Sequence, residues 1–92
     1  MRADLSVRIP ESVVFCYVSG EAVALNTVTS RYYGLDETGV RMWQLLVEHK
    51  QIDKTVAALL TEFDVDEARL WDDVNRFVNE LSEHGLVEIV QS

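Results

Sequence analysis

The sequence predicts an α+β fold: a winged helix-turn-helix-like domain with a three-stranded antiparallel sheet followed by three helices. Three observations predict it. The apolar period changes from about two to about 3.6 at Asp36. An apolar residue followed by an aspartate recurs at Leu35-Asp36, Ile52-Asp53 and Val65-Asp66, and each pair reads as a capped helix start. The last two helices are joined by only a few residues around Asp64-Val65, the spacing of a helix-turn-helix.

In chain order, residues 1–10 read as a loosely held arm that Pro10 closes. Residues 13–18, Val-Val-Phe-Cys-Tyr-Val, form a first strand, and a turn at Ser19-Gly20-Glu21 joins it to a second at 22–26. A polar connection at 26–30 leads into a third strand at 31–35, where Tyr32, Tyr33 and Leu35 suit a pleated, half-buried surface. A meander in this order leaves residues 31–35 at a sheet edge. Helix 1 is expected at 37–48, with Asp36 as cap and Val40, Trp43, Leu46 and Val47 on its apolar stripe. Helix 2, at 54–63 behind Asp53, shows Val56, Leu59, Leu60 and Phe63. Helix 3, at 67–83, carries Leu70, Val74, Phe77, Val78 and Leu81 and stops at Gly85, a natural left-handed cap. Residues 86–90 are a short extended tail.

Size and composition bound the function. Ninety-two residues make a single domain, 1–92, and such a chain buries only about 60 to 65 per cent of its unfolded surface, leaving little room for a deep active site. A hydrophobic fraction of 48% with 26% charged residues is ordinary for a globular protein and argues against disorder. No apolar run approaches the roughly 18 residues of a membrane span, and Asp4 and Arg8 interrupt any secretory core, so the expected location is the cytoplasm. Cys16 is the only cysteine, which excludes an internal disulfide.

Chemistry is then narrowed by exclusion. His49 and His84 are far apart, each near a predicted helix end, and with Cys16 on a strand they form no cluster at metal-ligand spacing. No serine sits in a nucleophile elbow, and the four glycines are too scattered for a phosphate-cradling loop. The sequence therefore predicts no enzyme, no metal and no cofactor. Charge argues against nucleic acid as well. Residues 66–83 hold six acids and two bases, so the would-be recognition helix is net −4 and repels phosphates. The imbalance extends beyond it: residues 1–46 are net −1 and residues 47–92 net −7, a solvated acidic face or an attraction for a basic peptide or partner.

Peptide binding has the positive evidence. The edge strand Arg31, Tyr32, Tyr33, Gly34 and Leu35 has no proline and one charge, so its backbone is available to an added strand. Helix 3 supplies a second wall, with Leu70 and Val74 on its core stripe and Trp71, Asn75 and Val78 on one shoulder. The ordinary alternatives are that the tyrosines are simply good strand formers and that Trp71 is a peripheral core residue.

The run Tyr32-Tyr33-x-Leu35-Asp36-x-Thr38-Gly39-x-x-Met42-Trp43-x-Leu45-Leu46 resembles the PqqD-like family, small chaperones that hold the leader of a ribosomally made precursor peptide. The likeness is densest at residues 31–46 and extends from about 13 to 87. It implies the winged helix fold and a leader peptide bound as an added strand between the third strand and the third helix. It also implies delivery to a separate maturation enzyme, a protease or a radical enzyme. The strand ending Tyr-Tyr-Gly-Leu looks closer to the lasso peptide type, with a leader peptidase as partner; a pyrroloquinoline quinone precursor chaperone is the alternative within the family. Outside it stands a non-catalytic interaction subunit that dimerises through the same edge.

Overall fold

The computed structural model describes residues 5–91. The elements are β1 (Leu5–Arg8), β2 (Val13–Val18), β3 (Glu21–Asn26), β4 (Tyr32–Leu35), α1 (Glu37–His49), α2 (Ile52–Glu62), α3 (Glu67–Glu83) and β5 (Glu88–Gln91). Strands β2, β3 and β4 form an antiparallel meander in that order, and β1 pairs antiparallel with β5 in a separate two-stranded sheet. The α+β, winged helix-turn-helix-like reading describes this architecture.

The loose arm is corrected by that second sheet. Residues 5–8 form a strand whose Val7 is buried and donates its backbone N–H to Lys50 O at 2.7 Å, while Arg8 forms an ion pair with Glu88. Leu5, Val7 and Ile9 alternate, and the core takes all three. The strand pairs with a segment some eighty residues away, so no local signal announces it. Residues 1–4 of the expected arm lie outside the described residues.

The β2–β3 hairpin turns through Ser19 and Gly20, both at positive φ (51° and 83°), a two-residue turn whose twist matches that of the flanking strands. Register places Ala22 opposite Leu35 and Ala24 opposite Tyr33. Those two alanines are buried on the inner face, and their small side chains let α1 pack closely. Phe15 stacks on Trp43 at 5.1 Å between ring centroids, and Gln44 donates to the Tyr17 hydroxyl at 2.9 Å, which seats β2 on α1.

Asp36 caps α1 by accepting from the Gly39 N–H at 2.8 Å. A side chain at Gly39 would meet Asp36 Oδ1 and Leu35 Cδ2, each at 3.3 Å, so the glycine lets strand and helix close on one another. Helix α2 departs from expectation. It starts at Ile52 behind Gln51, not at Lys54 behind Asp53, and Gln51 makes no side-chain cap bond. Ile52 is completely buried, and helical phase puts it on one face with Val56 and Leu59, so burial sets the start in place of a cap. Asp53 lies in the first turn with its Oδ1 buried and without a hydrogen-bond partner among the described residues. Helix α3 matches expectation at both ends: Asp66 accepts from the Arg69 N–H at 3.0 Å, and Gly85, at φ 73°, lets Leu86 N–H return to Leu81 O at 2.9 Å.

Candidate functional site

The site is built from the outer edge of β4, which no other strand among the described residues pairs with. Asn26 N–H donates to Arg31 O at 2.9 Å, and this pair sets the phase of the β3–β4 ladder. Antiparallel pairing alternates bonded and non-bonded pairs, so Tyr33 and Leu35 spend their backbone groups on β3. Tyr32 and Gly34 present theirs to the open edge. Side chains alternate with the same phase: Tyr33 and Leu35 point inward with Ala24 and Ala22, whereas Tyr32 and Gly34 point outward.

The open edge faces α3 across a cleft of about 480 Å³. Tyr33, Leu35 and Asp36 line one side, Thr38 and Met42 of α1 the floor, and Asp73, Arg76, Phe77 and Glu80 of α3 the far wall. A second compartment of about 500 Å³ shares Thr38, Met42 and Asp73 with it and runs on to Leu70, Phe63 and Val65 at the α2–α3 turn. Together they form one continuous groove along α3.

Tyr33 spans the cleft. Its hydroxyl donates to Glu80 Oε1, and its ring meets Phe77 and His84 edge-on at 6.4 and 5.2 Å. The hydroxyl is pushed up to about 12, first by that hydrogen bond to Glu80, then by burial and by the negative charges of Glu80 and Asp36. Arg76 faces Asp73 at 3.5 Å. The lining thus carries three carboxylates, Asp36, Asp73 and Glu80, against one guanidinium. It holds no His, Cys or Lys, and among the described residues no group of three or more His, Cys, Asp or Glu is arranged around a metal position. Such a lining can grip a backbone and pocket side chains.

A family model described as Coenzyme PQQ synthesis protein D (PqqD) matches residues 21–87, nearly three quarters of the chain. The chain belongs to the PqqD family. This PqqD-family chain is a recognition element of the kind found in ribosomally synthesised peptide pathways, and such proteins are non-catalytic binding domains. Among solved structures it is similar to TbiB1, determined in complex with the TbiA(beta) leader peptide, at 34% identity and a TM-score of 0.80, covering 88% of this chain and 94% of that one. It is also similar to lasso peptide synthetase B1, complexed with the leader peptide, at 19% identity and a TM-score of 0.79, covering 90% and 98%. No curated protein matches.

The PqqD-family fold brings only part of the expected site together. Tyr33, Gly34 and Leu35 line the cleft; Tyr32 is exposed on the outer face, and Arg31 lies exposed just before β4. Leu70 lines the second compartment. Val74 and Val78 are buried core residues, and Trp71 and Asn75 are half-buried, with Asn75 Nδ2 donating to Trp71 O at 2.8 Å. The expected shoulder does not line the cleft. At about 100° per residue, Trp71, Asn75 and Val78 lie on one side of the Leu70–Val74–Leu81 stripe and Asp73, Arg76 and Glu80 on the other. Packing turns the second set toward β4. That shoulder is polar, so a search for an apolar wall passes over it; its signal is the i, i+3, i+7 spacing of Asp73, Arg76 and Glu80. Asn26 is also missed. Its buried amide accepts from Val28 and Thr29 N–H at 2.9 and 3.3 Å and donates to Gly85 O at 2.7 Å, tying the β3–β4 loop to the end of α3.

Proposed function

We propose that this chain binds the leader segment of a ribosomally made precursor peptide as a strand added to the free edge of β4, and delivers it to a separate maturation enzyme in the cytoplasm. The observation that carries the reading is an edge unpaired among the described residues, with Tyr32 and Gly34 backbone groups turned outward, facing a groove along α3. The relatives solved with leader peptides support it by similarity. Each backbone bond of an added strand contributes only about 1 kcal/mol net, and a flexible leader loses conformational entropy on docking. Selectivity therefore comes from a few side chains, and the two compartments below the edge supply places for them. Of the ten residues named from sequence, Tyr32, Tyr33, Gly34, Leu35 and Leu70 belong in this proposal.

The lasso peptide assignment, with a leader peptidase as the partner, is favoured by the strand Tyr32-Tyr33-Gly34-Leu35. The decisive experiment is a fluorescence-anisotropy titration with the leader peptide encoded beside this gene. Saturable one-to-one binding is expected. Absence of binding by the leader of any neighbouring precursor at micromolar concentration would sink the reading.

A further inference from the structure

The outer face of the β2–β3–β4 sheet is apolar and open. Its outward residues fall in two cross-strand rows, Val14–Leu25–Tyr32 and Cys16–Val23–Gly34, with Val18 and Glu21 beyond. Tyr32 is 67% exposed, Val18 65%, Val14 43% and Val23 38%. Glu21 is the only charge among these residues, in a chain of net charge −8. Antiparallel sheets in water carry polar residues on such a face, and a contiguous apolar patch on an otherwise charged protein marks a contact surface.

We infer that this face, on the side of the sheet away from α1, docks the maturation enzyme, and that the bound leader completes it. The inference rests on leader binding at β4 as proposed above. Its first support is continuity: side chains of an added strand alternate between the two faces of the sheet, so every second leader residue in the strand joins the outer face. The second row ends at Gly34, where an added Cβ would meet nothing within 4 Å. An outward leader side chain beside Gly34 fills that place and extends the row. The second support is size. Strand spacing and rise give the bare face roughly 300 Å², well below the ~800 Å² per partner of a stable interface. A second copy of the chain would find too little area for a lasting dimer. A transient partner that also touches the leader finds more, and delivery requires transience. The third is charge, because the excess acid sits in residues 47–92 and leaves this face to an uncharged, apolar surface.

Cys16 lies in the middle of the face, exposed and free, so the native chain can carry a probe there. The test couples a benzophenone maleimide to Cys16 and adds the purified processing enzyme encoded beside this gene, with and without leader peptide. A crosslink to the enzyme is expected, rising several-fold when leader is present. Val23→Lys should weaken enzyme binding about tenfold while leader affinity stays within twofold; Val14→Lys, on the edge strand β2, repeats the test should Val23→Lys unfold. Unchanged enzyme binding in a folded variant, or a Cys16 crosslink to a second copy instead of the enzyme, overturns the inference with leader binding intact. Failure of the unlabelled protein to bind leader overturns the proposed function itself, and this inference with it.

Discussion

Tyr33 joins scaffold and site in one side chain: its backbone bonds β3, its ring packs on Phe77, and its hydroxyl reaches Glu80 across the cleft. A phenol with its folded pKa raised from 10.0 to about 12 contributes stability that is fully present below pH 10 and lost as pH rises through 12. Melting temperature should therefore fall between pH 10 and 12 more steeply in the native protein than in Tyr33→Phe; parallel curves would show that the Glu80 bond adds nothing. Trp71 makes the opposite case. It packs against the core outside the cleft, so Trp71→Ala should cost on the order of 2 kcal/mol in urea denaturation, below the range for a fully buried aromatic. Leader affinity should change by less than threefold in anisotropy titrations, and a larger loss would return Trp71 to the site.

At the scale of elements, β4 is a strand with its two edges in different employment. Gly34→Pro removes a donor from the open edge without touching a β3–β4 ladder bond, a substitution edge strands tolerate. Leader affinity should drop about tenfold or more while circular dichroism stays native; Tyr33→Pro lacks this selectivity because it breaks the ladder. The β3–β4 loop is held to α3 by one buried amide, so Asn26→Ala should lose about 1–3 kcal/mol in urea denaturation by leaving buried backbone groups unpaired. A smaller loss would mean that water replaces the amide. Element ends were legible wherever a residue acts on its own neighbours: Asp36, Asp66 and Gly85 do so at α1 and α3. The start of α2 was not, because Ile52 is placed by the core it enters and not by Asp53 beside it.

For the whole molecule, charge and topology divide the surface into an acidic helical half and an apolar sheet face. No helix among the described residues is long and apolar enough to cross a membrane. The helix-turn-helix formed by α2 and α3 is expected to show no salt-sensitive shift of duplex DNA at micromolar protein, since α3 with its cap Asp66 carries the net −4 of residues 66–83; a shift that weakens with salt would contradict the charge argument. What the sequence by itself determined was local: the strand-to-helix switch at Asp36, the caps, the hairpin, the apolar stripes and the family motif, all set by residues within a turn or two of one another. Tertiary structure alone decided three things. It paired β1 with β5 across the length of the chain, it turned Asp73, Arg76 and Glu80 toward β4 in place of Trp71, and it left the outer sheet face open. Periodicity gives a helix an inside and two shoulders, but which shoulder meets a given strand depends on how α1 and α2 seat α3, and no spacing along α3 contains that.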